Sequence, residues 1–90
     1  MAATRVVVHG RVQGVSFRVE TRRAARQRGV TGWVRNRADG SVQAHLEGDA
    51  DAVAAVERWM TEEGPPGAQV ERLEREDVPV EGFHGFEVRG

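Results

Sequence analysis

Apolar and polar residues alternate in residues 41–47, which is the pattern of a β-strand with one buried face. Residues 5–9 contain the β-branched run Val6-Val7-Val8 and are also predicted to form a strand. On the first strand we expect Val6 and Val8 to face the core and His9 to face solvent. On the second strand the side chains expected in the core are Val42, Ala44 and Leu46. The opposite face of that strand is therefore predicted to be exposed to solvent, and it carries Ser41, Gln43, His45 and Glu47.

Two other stretches have the three- and four-residue spacing of amphipathic helices. The first runs over residues 17–28 and ends before Gly29, a residue type common just after a helix. The second runs over residues 50–62, with Asp49 as its N-cap, and must end at the Gly-Pro-Pro-Gly sequence 64–67. The residues predicted to face the core from the two helices are Phe17, Thr21, Ala24, Ala25, Ala52, Val53, Val56, Trp59 and Met60.

A hairpin and a short closing strand are also predicted. Residues 30–36 form a strand that pairs with residues 41–47, because Asp39 and Gly40 lie between them and Asp-Gly is a common hairpin turn. Residues 86–88 have the apolar–polar alternation of a short strand at the end of the chain.

The fourth long strand lies within residues 69–77. Its apolar residues Val70 and Leu73 are three positions apart and cannot share a face of a flat strand, so we expect a bulge or a late start. The order of elements is then β-α-β-β-α-β with a short C-terminal strand, which is the ferredoxin-like α+β sandwich. We predict one domain over residues 1–90, with an antiparallel sheet and two helices on one of its faces. This fold hosts enzymes, regulators and RNA-binding proteins, so it does not decide the function.

The composition is that of a soluble globular protein, with 39% apolar and 30% charged residues. Cysteine is absent, which excludes disulfides, a thiol nucleophile and a thiolate metal site. No apolar run approaches the ~20 residues of a membrane span, and residues 1–5 lack the apolar stretch of a signal peptide. We therefore expect a cytoplasmic monomer that does not bind membranes, although the absence of disulfides leaves export open.

Charge is distributed unevenly along the chain, although the net charge is only −1. Residues 1–45 contain nine Arg and two acidic residues, and residues 46–90 contain four Arg and twelve acidic residues, which gives +7 and −8. A basic half can attract a nucleic acid or an anionic substrate. Halves that interleave in the fold would neutralise each other, and a strand platform of aromatic side chains on which bases stack is missing, since Trp33 and Trp59 are expected to serve packing. We expect no nucleic-acid partner.

The loop after the first strand has the features of a phosphate-binding site. Gly10 and Gly14 bracket the loop, and Arg18 falls in the first turn of the helix that follows. Glycine lets the backbone turn tightly with its N–H groups inside, and N–H groups at a helix start bind anions. A guanidinium matches two oxygens of a phosphate. The same spacing also occurs in simple turns, and the loop is neither a P-loop nor a dinucleotide-binding fingerprint.

Asn36 ends the second strand just before the hairpin, where asparagine is common for reasons of turn geometry alone. In a ferredoxin-like sheet the loop after the first strand and the hairpin after the second can lie close together. The amide of Asn36 would then lie beside the phosphate loop and could hold a water molecule for attack. From its position alone, Asn36 is either a turn residue or a catalytic residue.

The two stretches together resemble the signatures of a known family. Residues 8–18, Val-His-Gly-Arg-Val-Gln-Gly-Val-Ser-Phe-Arg, resemble the first signature of the acylphosphatase family. Residues 32–36, Gly-Trp-Val-Arg-Asn, resemble the second signature. Further positions that resemble family members are Gly40, Val42, Gly48 and residues 64–66 and 86–89. The resemblance therefore spans nearly the whole chain.

This resemblance implies hydrolysis of the carboxyl–phosphate bond of small acyl phosphates to a carboxylate and inorganic phosphate. By similarity, Arg18 binds the phosphate and Asn36 orients the attacking water. The backbone N–H groups implied to bind the phosphate are those of Gly14, Val15, Ser16, Phe17 and Arg18. The resemblance implies no metal and no cofactor, and inorganic phosphate would be both product and competitive inhibitor. Glu20 departs from the family pattern and would weaken anion binding unless it points away.

Two other functions stay open on the sequence. One is a non-catalytic module that binds anions or RNA on the same fold. The other is the carbamoyl-phosphate-cleaving domain of hydrogenase-maturation proteins, which are longer and have zinc-binding cysteines.

The three histidines, His9, His45 and His84, fall in separate elements without metal-ligand spacing, so we predict no metal site. No specificity pocket is evident, and we expect a small open site that accepts several acyl groups.

Overall fold

The strands and helices follow one another in the predicted order. The computed structural model describes residues 1–90. The elements are β1 (Ala2–Arg11), α1 (Phe17–Gln27), β2 (Thr31–Asn36), β3 (Val42–Gly48), α2 (Ala50–Arg58), β4 (Gln69–Asp77) and β5 (Phe86–Arg89). The second helix does not stay regular to residue 62 as predicted, because Trp59–Glu63 continues it as a π-helical turn. The first strand is longer than predicted at both ends.

The five strands form one sheet in the order β4-β1-β3-β2-β5. The β1–β3, β1–β4 and β2–β3 pairs are antiparallel, as predicted. The expectation of a wholly antiparallel sheet is wrong, because β5 pairs with β2 in parallel. After β4, on one edge, the chain crosses the sheet and reaches the opposite edge, where it runs in the direction of β2. A short strand pattern gives no information on the direction of such a crossing.

The core lies between the sheet and the two helices, on one face of the sheet. The apolar residues predicted for the buried face of β1 and β3 are all buried there, and so are Phe17, Thr21, Ala24 and Ala25 of α1. From α2 and the turn after it, Val53, Val56 and Met60 are buried, while Ala52 and Trp59 pack against the core and stay partly exposed. The helical periodicity therefore predicted the packing faces correctly.

The predicted bulge is present in β4. His9 pairs with Arg72 and Gly10 with Val70, so the register shifts and Glu71 has no partner in β1. The extra residue brings Val70 and Leu73 against the same core. The backbones approach so closely here that a Cβ on Gly10 would meet the carbonyl oxygen of Gln69 at 2.2 Å.

The prediction that Ser41 is exposed is wrong, since 2% of its surface is accessible and its hydroxyl donates to Asp39 in the hairpin turn. The prediction that His45 and Glu47 are exposed is also wrong, since 0% and 1% of their surfaces are accessible. Residues 78–85, which have no regular pattern, cross this face of the sheet and cover both side chains. Alternation identified the face on which these residues lie, but it contained no sign of the segment that covers it.

Glu47 holds that covering segment. Its carboxylate accepts hydrogen bonds from the backbone N–H groups of Glu81 and Gly82, at 2.5 and 3.1 Å. The ring of His45 lies 2.7 Å from the same carboxylate through Nε2. Because Arg5 Nε donates to His45 Nδ1 at 3.2 Å, the ring proton is on Nε2 and is donated to Glu47. The buried carboxylate therefore has partners on three sides.

Candidate active site

The loop between β1 and α1 turns on two residues with positive φ. Gly14 has φ +78°, and Ser16 has φ +62° and is the only non-glycine residue of the chain with positive φ. Ser16 is also the N-cap of α1, and its carbonyl oxygen accepts a hydrogen bond from the N–H of Glu20 at 3.0 Å. A non-glycine residue in this conformation costs about 1–2 kcal/mol, and such strain is common at functional sites.

The backbone N–H groups from Gly14 to Arg18 have no backbone acceptor within the chain. None of them donates one of the 11 backbone hydrogen bonds found outside the helices and strands. A helix always leaves its first N–H groups without intrahelical partners, and here the loop adds three more. Unpaired N–H groups at the positive end of a helix form a site that can bind an anion.

The side chain of Arg18 lies at this site and is held at its far end. Arg18 Nη1 donates a hydrogen bond to the backbone carbonyl oxygen of Arg89 in β5, at 2.7 Å. A guanidinium has five N–H donors, so this bond fixes the side chain and leaves others for a ligand.

Asn36 and Arg18 line the same depression, which has a volume of about 360 Å³. Asn36 ends β2, and its side-chain amide makes no hydrogen bond within the chain. The complete lining consists of Val12, Gln13, Gly14, Ser16, Phe17, Arg18, Val19 and Asn36. The structure thus brings together every predicted site residue except the side chain of Val15, which packs against the core instead.

The depression beside Arg18 is not the largest one on the surface, so volume alone would favour a different site. A larger depression of about 630 Å³ is lined by Arg26 and residues 81–87. The backbone N–H groups of Glu81 and Gly82 within it already donate to Glu47. The chemistry available to an anion therefore favours the depression beside Arg18.

Gln13 is a site residue to which the sequence assigned no role. Its side-chain amide donates hydrogen bonds to the carbonyl oxygens of Arg37 and Ser41, at 2.8 and 3.0 Å. Both acceptors lie in the hairpin between β2 and β3, far from Gln13 in the chain. The only available signal was an uncharged amide within the loop, which does not indicate its partners.

Glu20 does not line the depression. Its carboxylate lies 3.4 Å from Arg23 Nη1, one turn further along α1. The acidic residue that departs from the family pattern therefore points towards an arginine rather than towards the loop.

The hairpin beside the site is closed by Asp39, as predicted. Asp39 Oδ1 accepts hydrogen bonds from the hydroxyl and the N–H of Ser41, at 2.5 and 2.9 Å. These two bonds lower the pKa of the Asp39 carboxyl group below its ordinary value. The carboxylate thus serves the turn.

No group of three or more His, Asp or Glu side chains is arranged to hold a metal ion. His9 lies 2.5 Å from a carboxylate oxygen of Glu74, and His45 is buried beside Glu47.

No helix of the chain is both long enough and apolar enough to span a bilayer.

Comparison with known proteins decides the family. The family profile described as acylphosphatase matches residues 4–88. An acylphosphatase from Rubrobacter xylanophilus is 56% identical over 86 residues, which are 94% of this chain and 77% of that protein. The chain belongs to the acylphosphatase family. An acylphosphatase from a Nocardioides species is 51% identical over 98% of this chain and 88% of that protein.

The fold agrees with that of a solved family member. The crystal structure of acylphosphatase from Bacillus subtilis superposes with a TM-score of 0.96 and 34% identity, and all of each chain is covered. The ferredoxin-like fold predicted from the order of the elements and the family resemblance carried by the two signatures are therefore confirmed.

Proposed function

We propose that this chain hydrolyses the carboxyl–phosphate bond of small acyl phosphates, releasing a carboxylate and inorganic phosphate. One observation carries the proposal: unpaired loop N–H groups, Arg18 and Asn36 meet at a single depression in a chain of the acylphosphatase family. All of these groups come from one chain, so we expect the monomer to be active.

The phosphate is bound by the loop. The N–H groups from Gly14 to Arg18 donate to its oxygens, and the guanidinium of Arg18 donates to two of them. The bond from Arg18 to the carbonyl oxygen of Arg89 holds the guanidinium in place before the substrate arrives. A side chain that is already ordered loses less entropy when it binds.

Asn36 orients the water. Its free amide can hydrogen-bond the water, so that the water oxygen lies in line with the bond that breaks. The transition state of phosphoryl transfer is loose, and positioning and charge stabilisation are the main sources of catalysis. The water therefore needs orientation more than it needs a base.

The lining of the depression fits a leaving group that needs no proton. It contains no His, Asp or Glu side chain. A carboxylate leaves without protonation at neutral pH, and a phosphate oxygen can take the proton of the water. An alkyl phosphate monoester would have to release an alkoxide, which requires a general acid. We therefore expect strong selectivity for acyl phosphates.

Phosphate release from acetyl phosphate, measured with EDTA present, tests the proposal. We expect turnover in EDTA, competitive inhibition by inorganic phosphate, and little release from an alkyl phosphate monoester. Loss of turnover in EDTA, or equal rates on the monoester, would contradict the proposed chemistry. Binding of phosphate without any turnover would instead support the anion-binding module.

A further inference from the structure

We propose that Gln13 is a positioning residue that fastens the phosphate-binding loop to the β2–β3 hairpin and so sets the distance between Asn36 and the bound phosphate. This inference rests on the proposed function. It concerns a residue that need not touch the reacting atoms, because the hydrogen bonds of its amide run away from the loop to the hairpin.

Both donors of the Gln13 amide are used. Nε2 donates at 2.8 Å to the carbonyl oxygen of Arg37 and at 3.0 Å to that of Ser41. A primary amide has two N–H donors, so the side chain is saturated on its donor side and fixed by two acceptors at once. One bond would leave the amide free to rotate about it, whereas two determine its orientation.

The two acceptors lie at the base of the hairpin turn. The N–H of Arg37 donates to the carbonyl oxygen of Ser41 at 2.9 Å, which closes the turn. Arg37 follows Asn36 directly, and Ser41 precedes Val42, the partner of Asn36 in the β2–β3 ladder. Gln13 is therefore bonded to the residues that flank the Asn36–Val42 pair on its outer side.

Gln13 is also the neighbour of Gly14, where the phosphate-binding N–H groups begin. No other hydrogen bond joins residues 12–16 to residues 36–41. The loop that holds the phosphate and the strand end that holds the water are thus connected at this point by one side chain.

The chemistry is sensitive to this connection. Attack in line requires the water oxygen about 3–3.5 Å from phosphorus, and a displacement of 1 Å can cost about 100-fold in rate. The phosphate is positioned by Gly14–Arg18 and the water by Asn36, which belong to different elements. The pairing of β1 and β2 with β3 brings the two elements close together, and a direct contact between loop and hairpin sets their remaining separation.

A double-mutant cycle tests the proposal. Gln13→Met keeps the length of the side chain and removes both donors. We expect it to lower kcat on acetyl phosphate at least about tenfold, while the inhibition constant of inorganic phosphate changes less than about threefold. In the Asn36→Ala background, which has no positioned water left to disturb, Gln13→Met should lower kcat no further.

The outcomes separate this inference from the proposed function. Equal loss of kcat in both backgrounds, or loss of phosphate affinity in proportion to kcat, shows a general structural role for Gln13 and overturns the inference alone. An Asn36→Ala variant with full kcat overturns the role of Asn36 and this inference with it, whereas acyl phosphate hydrolysis itself would stand. Wild-type protein without turnover overturns the proposed function.

Two further variants serve as controls. Gln43→Met removes an amide of the same kind whose Oε1 accepts from Arg35 Nε at 2.9 Å, outside the depression, and it should leave kcat unchanged. Gln13→Glu keeps the shape but places an acceptor against two carbonyl oxygens, and it should lower kcat at least as much as Gln13→Met. If Gln13→Met does not fold, the cycle is run with Gln13→Leu, which also removes both donors without adding charge, and thermal unfolding is measured for every variant.

Discussion

Arg18 and Asn36 line one depression because β1 and β2 both pair with β3 and both of these pairings end at the same residue of β3. Val42, near the start of β3, pairs with Val8 in β1 and with Asn36 in β2. The loop that leaves β1 and the hairpin that leaves β2 therefore lie at the same end of the sheet. Because the two side chains come from different elements, phosphate binding by Arg18 and water orientation by Asn36 can be tested separately.

Replacing Arg18 should weaken phosphate binding. A hydrogen bond to a charged group contributes about 1.5–3 kcal/mol, so Arg18→Ala should lower the affinity for inorganic phosphate about 10- to 100-fold. Arg18→Lys should restore it only in part, because an ammonium lacks the planar fork of donors. Titration calorimetry with phosphate measures both changes.

Arg26→Ala is the matched control for Arg18→Ala. Arg26 lies two turns further along α1, makes no hydrogen bond through its side chain, and does not line the depression. Phosphate affinity should be unchanged in this variant. An equal loss in both variants would mean that the general positive charge of α1, rather than Arg18 itself, attracts the anion.

Replacing Asn36 should separate positioning from binding. Asn36→Ala should lower kcat about 10²–10³-fold, the usual effect of losing one preorganised polar group, with phosphate affinity nearly intact. Asn36→Asp should also be poor, because it places a negative charge beside an anionic substrate and loses the amide donor. Steady-state kinetics and phosphate inhibition measure the two quantities, and a stable Asn36→Ala protein with wild-type kcat would make Asn36 a turn residue only.

The helices, the bulge and the loop were predictable from the sequence because each rests on local regularity. Periodicity places Phe17 and Ala25 in the core, and three-residue spacing at Val70 and Leu73 requires a bulge. The burial of Glu47 was not predictable, because the segment that covers it lies more than thirty residues further along the chain and has no periodic pattern. Local patterns report which face a residue occupies, not what later folds onto that face.

The same limit applies within the site. Arg18 and the loop N–H groups adjoin in sequence, so their association follows from the strand–loop–helix pattern. The acceptors of Gln13 belong to another element, and only the register of β1 and β2 against β3 brings them within 3.0 Å. A functional interaction across two elements requires the topology before it can be recognised.

Gly32 should tolerate no side chain. It has φ +137°, and a Cβ there would meet the backbone carbonyl oxygen of His45 at 1.8 Å. Because the obstacle is backbone in a central strand, Gly32→Ala should destabilise the protein by more than about 1 kcal/mol. Gly85→Ala, where an added Cβ meets nothing within 4 Å, should change stability little. Urea unfolding of both variants checks this, and equal stabilities would show that β2 and β3 can move apart at Gly32.

Glu47 should make the free energy of unfolding depend on pH in the acidic range. Burial by itself raises the pKa of its carboxyl group, but hydrogen bonds from His45 and from the N–H groups of Glu81, Gly82 and Phe83 lower it more, so the pKa is below its ordinary value of 4.5. A group whose pKa is lower in the folded state stabilises the fold above its unfolded-state pKa. This stabilisation should be complete above about pH 5 and decline as pH falls through 4.5 towards the lower folded-state value.

Glu47→Gln isolates that contribution from those of the other carboxylates. The amide keeps the shape but presents N–H donors to donors, so the variant should be less stable at neutral pH by about 1–3 kcal/mol. Asp39 and Glu74, whose pKa values are also lowered, remain in both proteins and cancel in the difference. The difference in the free energy of unfolding between wild type and Glu47→Gln should therefore shrink as pH falls below 4.5. Glu87→Gln, an exposed change on β5, should show no such dependence. A difference that stays constant with pH would mean that Glu47 stabilises the covering segment by its shape, not by its charge.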